Sequence, residues 1–184
     1  LKRTLRNTQK TRSMLNNLLE IGRSQSGCFV CSYFEPAKSL FQIMKDALEI
    51  TTGPLADEIG KYQTEKDAGE LLSQNGILLD TSPQAVGIEM FQDEIKFSQI
   101  VGNLLKNALY HRRKRVEIKM AVEGKDLVLR ISDDGPGVDP AHQELIFKRY
   151  AQVKECSIVA RKGHGLGLAG AHILARCLGG DIKI

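Results

Sequence analysis

Two neighbouring segments with alternating side chains constrain the fold of this chain more than any other feature. Apolar residues occupy every second position of 116–122 and again of 127–131, and Gly124 lies between the two segments. A period of two predicts half-buried β-strands, and the glycine predicts a turn, so the pair is expected to form a hairpin. The second strand is followed closely by a glycine-rich loop, residues 133–137 (DDGPG). The sequence therefore predicts a sheet with a potential ligand-binding loop at the end of one strand.

Apolar residues at helical spacing predict the remaining elements. The predicted helices cover residues 1–24, 37–51, 93–111 and 167–177, and further strands are predicted over 77–81 and 181–184. Residues 60–75 are polar and charged, and they read either as a helical extension or as a flexible insertion. The first helix is amphipathic and marginal alone in water, so it needs a partner. It is either an ordinary packing helix or one arm of a dimeric bundle.

Composition narrows the class of protein. A chain of 184 residues with 42% hydrophobic and 26% charged residues is expected to form one soluble domain, with at most a short appendage. Its net charge of +4 is too small to argue for nucleic acid. No apolar run approaches the roughly 18 residues that span a bilayer, and no signal-peptide pattern follows the basic first residues. We therefore expect a cytoplasmic location, with any membrane attachment made only by upstream regions.

Two asparagines on one predicted helix are the first chemical motif. Asn103 and Asn107 lie four residues apart, so their side chains share one helix face. Carboxamide oxygens are neutral, hard ligands that suit Mg²⁺, which usually keeps several waters and shares phosphates with a substrate. A pair of solvated or capping asparagines would have the same spacing, so the motif alone leaves both interpretations open.

Two glycine-rich segments are the second and third motifs. In loop 133–137 the glycines allow close backbone approach to a planar ligand, and Asp133 can accept a hydrogen bond from an exocyclic amine. A solvent-exposed turn is the alternative. Gly163, Gly165 and Gly167 precede the last predicted helix, where successive N–H groups suit a phosphate. This segment does not follow a strand as in a dinucleotide fold, and no P-loop sequence occurs.

Taken together and in this order, the motifs resemble those of the ATP-binding catalytic domain of sensor histidine kinases, in the superfamily shared with gyrase, Hsp90 and MutL. Residues 103–108 resemble the N box, 133–137 the G1 box, 146–150 the F box and 163–168 the G2 box. The resemblance is tight over 77–184. Residues 14–27 are similar to the end of the second helix of the dimerisation and phosphotransfer region.

The resemblance implies an α+β fold, a two-layer α/β sandwich of the Bergerat type with helices on one face of a mixed sheet. It implies two regions, residues 1–27 as part of the dimerisation helix and residues 28–184 as a C-terminally truncated ATP-binding domain. The implied ligands are ATP and Mg²⁺. The implied partners are a second copy, joined through the N-terminal helix, and the receiver domain of a response regulator.

The resemblance also assigns roles to single residues. Asn107 would be the Mg²⁺ ligand, and Asn103 would assist near the phosphates. Asp133 would read the adenine N6 amine, while Gly135 and Gly137 would admit the ring. The G2 box would contact the phosphates and hinge a lid over about 153–162. Its implied nucleotide-binding residues are Gly163, Gly165, Leu166, Gly167 and Leu168.

The chain departs from the family pattern after the N box. Tyr110 and His111 stand where the family often has lysine followed by tyrosine or phenylalanine, so a phosphate contact there would fall to His111 or Arg112. The basic run 111–115 is otherwise interpreted as the solvated end of a helix, where positive charge complements the dipole.

The position of the phosphoacceptor is the other departure. All four histidines lie in the ATP-binding half, and none lies on the first predicted helix. The acceptor histidine is therefore expected upstream of this sequence, unless the protein lacks one. The leading hypothesis is transfer of the ATP γ-phosphoryl to that histidine and then to a response-regulator aspartate. The alternatives are a degenerate kinase that acts as an interaction module and an ATPase switch of the same superfamily.

Overall fold

A computed structural model describes residues 29–52, 54–143, 145–147 and 167–184. The chain divides into two compact units. The sheet unit is Cys31–Gly137, and the terminal unit combines Leu1–Val30 with Val138–Ile184. The helix predicted over residues 1–24 lies outside the described residues, and the predicted division at residue 27 stays a prediction.

The sheet unit contains most of the regular structure. Its elements are β1 (Ser32–Phe34), α1 (Pro36–Thr52), α2 (Pro54–Ile59), α3 (Glu65–Gln74), β2 (Ile77–Thr81), β3 (Met90–Gln92), α4 (Glu94–His111), β4 (Val116–Glu123) and β5 (Asp126–Asp133). The terminal unit has two short 3₁₀ turns, Pro140–His142 and Leu145–Phe147, and helix α5 (Gly167–Cys177). The helices predicted over 37–51, 93–111 and 167–177 are confirmed, as are the strands predicted over 77–81, 116–122 and 127–131.

The central sheet is mixed and has the strand order β2-β4-β5. Strand β2 runs parallel to β4, with Ile77 opposite Val116. Helix α4 lies between these two strands in the chain, as a parallel connection requires. Strands β4 and β5 form the expected hairpin, whose register places Val116 opposite Asp133. Gly124 in the turn has a φ of 65°, a conformation that glycine adopts at no steric cost.

One face of this sheet is packed against helices. Val116, Ile118 and Met120 of β4 are fully buried, and they belong to one apolar cluster with Leu48 of α1 and Leu105 of α4. Glu117 and Lys119, which alternate with them, form an ion pair on the other face. Alternation along β4 therefore sets the side of the sheet on which the helices lie, because the apolar face must be removed from water. The α+β class with helices on one face of a mixed sheet is confirmed.

Two expectations need revision. The strand expected over 181–184 is wrong, because these residues are irregular and no strand pairs with them among the described residues. A lone strand leaves its backbone polar groups unpaired. Strands β1 and β3, which pair with Tyr33 opposite Phe91, were not predicted, because each has only 3 residues.

The polar region 60–75 forms helix α3 from Glu65 onward, after Thr64, whose hydroxyl accepts a hydrogen bond from the Asp67 N–H at 3.3 Å. The cap explains the start of a helix that its apolar spacing did not reveal. Across the described parts of the chain, no helix is both long and apolar enough to cross a membrane.

Candidate functional site

Helix α4 is anchored at its start by a buried ion pair. The Asp93 carboxylate accepts a hydrogen bond from the Lys96 backbone N–H at 3.1 Å, which caps the helix. The Lys96 ammonium contacts the same carboxylate at 2.9 Å, and both side chains are almost fully buried. The next turns place Phe97, Val101 and Leu105 in the core. These constraints fix the rotation of α4 and therefore determine which residues it presents on its other side.

That other side carries three carboxamides at intervals of four residues. We call Gln99, Asn103 and Asn107 the amide stripe, since side chains four apart stand above one another on a helix. All three residues are half-buried. The carboxamides of Asn103 and Asn107 make no hydrogen bond to any described residue. The Gln99 Oε1 atom is buried and lacks a partner within the same residues.

Gln99 was missed by the sequence analysis. The signal was its position four residues before Asn103, which continues the spacing of the two asparagines.

The glycine loop, residues 133–137, follows β5 on the helix-bearing side of the sheet. Residues opposite each other in an antiparallel pair point to the same face, so Asp133 shares the face of its partner Val116. The Asp133 Oδ1 atom accepts a hydrogen bond from the Gly135 N–H at 2.9 Å. Its Oδ2 atom accepts none from the described residues, and the side chain is exposed. Asp133 therefore has one oxygen held in place and one available.

The glycine loop lies directly against the end of α4. A Cβ atom on Gly135 would lie 2.5 Å from the His111 carbonyl oxygen and 2.5 Å from the Asp133 Oδ1 atom. Only glycine permits this approach without a shift of the backbone. Gly137 adopts a φ of 73°, which also favours glycine.

Asn107 is close to the same junction. It precedes His111 by four residues, or about 6 Å along a helix, and α4 packs along β5. The structure thus brings Asp133 and Gly135 to the C-terminal end of α4, and Asn107 lies about one turn before that end. Asn107 and Asp133 lie on the same side of the sheet.

The basic run after α4 is a loop rather than a helix end. Helix α4 ends at His111, and we call Arg112–Arg115 the basic loop. Arg113, Lys114 and Arg115 are exposed, as the interpretation of a solvated run requires. The Arg112 guanidinium donates to the Asn75 carbonyl oxygen at 3.2 Å, so it is engaged away from the amide stripe.

Two charged residues in this part of the molecule, Asp134 and Lys106, were not singled out by the sequence analysis. The Asp134 carboxylate accepts hydrogen bonds from the backbone N–H groups of Arg115, Lys114 and Arg113, which lower the pKa of Asp134 to about 2. Burial lowers the pKa of Lys106, and the nearby Asp46 carboxylate partly opposes this shift. Lys106 lies between the two asparagines in sequence, and the charged group that affects its pKa is Asp46 of α1.

The terminal unit holds the rest of the predicted site residues. Gly163, Gly165 and Leu166 lie outside the described residues, as do the expected lid and Tyr150. Gly167 and Leu168 are half-buried and begin helix α5.

Phe147, expected to be a packing anchor, packs against His172 of α5 with the rings tilted by 37° and their centroids 4.7 Å apart. The His172 Nε2 atom lies 3.1 Å from the Asp181 Oδ1 atom, which the Arg176 guanidinium also contacts. The turn, the helix and the tail of this unit are therefore tied together by one imidazole and one carboxylate.

The fold and the grouped residues define a class, an α+β domain with an unsatisfied polar stripe beside a glycine loop. The model of the family described as "Histidine kinase-, DNA gyrase B-, and HSP90-like ATPase" matches residues 92–184, half of the chain. The chain belongs to this family of ATP-binding domains.

A curated relative is the signal transduction histidine-protein kinase ArlS of Staphylococcus aureus. It is 26% identical over 160 residues, which cover 82% of this chain and 36% of the relative. The chain thus spans about a third of the length of the curated relatives it matches.

Solved structures agree on the fold. Full-length ShkA in complex with AMPPNP superposes with a TM-score of 0.61 at 21% identity, covering 96% of this chain and 33% of that one. The Acinetobacter baumannii histidine kinase AdeS gives a TM-score of 0.59 at 17% identity, covering 99% of this chain and 75% of that one. At these identities the likeness shows the fold alone.

Proposed function

We propose that this chain is the ATP-binding catalytic region of a two-component sensor histidine kinase, which transfers the ATP γ-phosphoryl to a histidine. One observation carries the proposal. The amide stripe of α4 has no hydrogen-bond partners among the described residues, and it ends beside the glycine loop. The carboxamides of the stripe can bond to an outside ligand without giving up a hydrogen bond within the described fold, and the Gln99 Oε1 atom is itself buried without a partner there. A nucleotide bound along the stripe would satisfy these groups.

Asp133 is suited to recognise the purine. Its Oδ1 atom is held by the Gly135 N–H at 2.9 Å, which orients the carboxylate. The Oδ2 atom is free among the described residues to accept a hydrogen bond from an exocyclic amine such as adenine N6. Gly135 and Gly137 leave the loop without side chains at the positions where the ring would approach.

Asn107 is the proposed Mg²⁺ ligand, with Asn103 one turn away near the phosphates. The donor set fits this ion, since Mg²⁺ accepts amide oxygens and commonly keeps waters and substrate phosphates as its other ligands. The described residues contain no cluster of three His, Cys, Asp or Glu side chains that could hold a metal on its own. The ion would therefore bind together with the triphosphate, and its charge would offset that of the phosphate oxygens.

The proposed phosphate-binding segment is the G2 box, residues 163–168. Gly163, Gly165 and Gly167 offer backbone N–H groups, Leu166 and Leu168 alternate with them, and Gly167 begins helix α5. The start of an α-helix favours an anion, because its first N–H groups have no intrahelical partner.

The chemistry of the stripe favours transfer over hydrolysis. Hydrolysis needs a group that withdraws a proton from the attacking water, and the stripe offers only neutral carboxamides. A neutral imidazole would attack with the lone pair of one ring nitrogen while the bond from the γ-phosphorus to the bridging oxygen breaks and ADP leaves, and the proton on its other nitrogen would be lost afterwards. The residues of this chain would then position the triphosphate and stabilise its charge.

The proposed partners are a second copy of the chain and the receiver domain of a response regulator. Residues 1–27 would belong to a dimerisation helix, and residues 28–184 would form the ATP-binding domain. The acceptor histidine would lie on a bundle helix, and a response-regulator aspartate would receive the phosphoryl group. The domain would act on the cytoplasmic side of the membrane.

One observation favours the alternative of a non-catalytic interaction module. Tyr110 replaces a frequent family lysine, and Arg112 is engaged with Asn75 at 3.2 Å, so neither supplies a cation to the phosphates. His111 remains available, with its ring edge-on to Tyr110 at 5.0 Å.

The three candidate functions are separated by incubating the full-length protein with γ-labelled ATP. Acid-labile label on a histidine is the expected result. Release of free phosphate without labelled protein would indicate an ATPase switch. Absence of nucleotide binding in calorimetry would indicate the interaction module.

A further inference from the structure

The second aspartate of the glycine loop binds a row of backbone N–H groups. The Asp134 Oδ1 atom accepts hydrogen bonds from Arg113, Lys114 and Arg115 at 2.8, 3.0 and 3.0 Å, and its Oδ2 atom accepts a second bond from Lys114 at 3.1 Å. Three successive N–H groups directed at one oxygen form an anion-binding nest. Although the loop is rich in arginine and lysine side chains, the carboxylate binds its backbone.

The nest lies where two parts of the proposed ATP site meet. The basic loop begins at Arg112, the C-cap of α4, and ends where β4 begins at Val116. Asp134 itself follows Asp133 directly, and its N–H donates to the Arg115 carbonyl oxygen at 3.2 Å. One residue therefore joins the end of the asparagine-bearing helix to the loop that would read the purine.

The fit at this junction leaves little freedom. Gly135 lies so close to the His111 carbonyl oxygen that a methyl group cannot enter. The Gly135 N–H in turn holds the Asp133 carboxylate. A displacement of the basic loop would therefore move His111, Gly135 and Asp133 together and change the distance from Asp133 to Asn107.

The four bonds also stabilise the charged form of Asp134. They lower its pKa to about 2, from the roughly 3.9 of a free aspartate, which is itself an anion at neutral pH. Bonds from N–H groups to a charged oxygen are stronger than neutral ones. The nest is thus a fixed attachment at neutral pH, although the side chain is exposed.

We infer that Asp134 is a positioning residue for nucleotide binding, which sets the placement of Asp133 relative to Asn107 through its bonds to the basic loop. The inference rests on the proposed ATP site. Asp134 touches neither the purine nor the phosphates in this role. Its effect on affinity is transmitted by the backbone of residues 113–115 and by Gly135.

The test compares Mg·ATP affinity in Asp134→Ala, Asp134→Asn and the native chain, by calorimetry well below the melting temperature. The alanine variant loses all four bonds, and we expect roughly tenfold weaker binding or more, as when a group that orients a ligand-binding residue is removed. The asparagine variant keeps one oxygen, which can accept the three bonds now made by Oδ1. We expect it to restore affinity to within about threefold of native. Asp126→Ala, at the exposed start of β5, is the matched control.

The following results would count against the inference. If Asp134→Ala melts earlier but binds Mg·ATP as tightly as the native chain, the residue is structural only. If Asp134→Asn binds as weakly as Asp134→Ala, retention of the nest does not govern affinity. Both results leave the proposed ATP site intact, whereas failure of the native chain to bind Mg·ATP overturns the proposed function and this inference together. Should Asp134→Ala not fold, Asp134→Leu takes its place, since it keeps the branched shape but has no acceptor oxygen, and native affinity in that variant contradicts the inference.

Discussion

The amide stripe and the basic loop are neighbours along the chain, but their polar groups differ in whether they have hydrogen-bond partners within the fold. In the stripe, three carboxamides stand half-buried without partners among the described residues. In the basic loop, three consecutive N–H groups are all taken up by Asp134. The comparison separates groups that hold the frame from groups left available for a ligand.

The reason for the difference is energetic. A buried polar atom without a partner costs about 1–3 kcal/mol, and in the stripe only the Gln99 Oε1 atom is buried in this way among the described residues. The carboxamides of Asn103 and Asn107 make no bond within the described fold, so a ligand can bond to them by displacing water and without breaking a contact of the fold. Substitutions in the stripe should therefore weaken binding more than folding, while substitutions in the basic loop and the residues that hold it should affect both.

The largest effect is expected from Asn107→Ala. Loss of the proposed Mg²⁺ ligand should weaken Mg·ATP binding by about 100-fold or more, beyond the 10–100-fold that loss of a supporting group usually costs. The melting temperature should change little, because the Asn107 carboxamide contributes no hydrogen bond to the described fold. Calorimetry and thermal melting measure the two quantities. Gln42→Ala, an exposed carboxamide on α1, is the control, and native affinity in Asn107→Ala would contradict the site.

Asp133→Asn should have the next largest effect. The change keeps an oxygen for the Gly135 N–H but removes the charge that the purine amine would meet. A hydrogen bond to a charged group contributes about 1.5–3 kcal/mol, which corresponds to a loss of about 10–100-fold in ATP affinity.

Calorimetry with ATP and with a purine nucleotide lacking the 6-amino group measures this effect. The native chain should prefer ATP, and Asp133→Asn should lose that preference. Asp126→Asn, on the same strand, is the control. An unchanged preference in Asp133→Asn would show that Asp133 does not read the base.

Gly135→Ala should affect binding and stability together. The added methyl group would collide with the His111 carbonyl oxygen and with Asp133, each 2.5 Å away. Overpacking of this kind typically costs about 1–3 kcal/mol of stability. Denaturant unfolding measures the change. Gly69→Ala is the control for an added methyl group, because nothing lies within 4 Å of that position, and within helix α3 it should stabilise the chain by about 0.5–1 kcal/mol. Equal stability of the two variants would mean that the loop does not rest on α4.

The smallest expected effect is a loss of stability at acid pH through the titration of Asp134. An unfolded aspartate titrates at about pH 3.9, whereas the Asp134 pKa is about 2 in the folded chain. A lowered pKa stabilises the fold above the unfolded value, and this contribution is lost as the pH falls from about 4 to about 2. The difference in melting temperature between the native chain and Asp134→Ala should be constant above that window and shrink within it. If the difference in melting temperature stays the same at the acid end of this window, its cause is not the charge of Asp134.

The sequence anticipated the elements whose side chains follow a clear period. Val116, Ile118 and Met120 alternate along β4, and the apolar residues of α4 recur at helical spacing, so both elements were predicted. Strands β1 and β3 are too short to show a period, and they exist because each pairs with the other. The stretch 181–184 has strand-like residues but no pairing strand among the described residues, and it is irregular.

The residues of the candidate site also fall into two groups, those predicted from the sequence and those recognised only in the structure. Asn103 and Asn107 were found from their spacing, and Asp133, Gly135 and Gly137 from the glycine pattern. Asp134 was overlooked, because its partners are backbone groups about twenty residues away, which carry no residue-specific signal. Gln99 was overlooked because glutamine on a helix has no special meaning until its neighbours are seen to lack partners.

By itself, the sequence determined which residues share a face of α4, where the hairpin turns and which motifs carry polar chemistry. These properties follow from helical and strand periods and from the conformational freedom of glycine, which are local. Only the tertiary structure decided that the glycine loop rests on the end of α4, and that Asp134 is satisfied while the amide stripe is not. Whether a polar group has a partner depends on chain segments that folding brings together, and periodicity does not encode it.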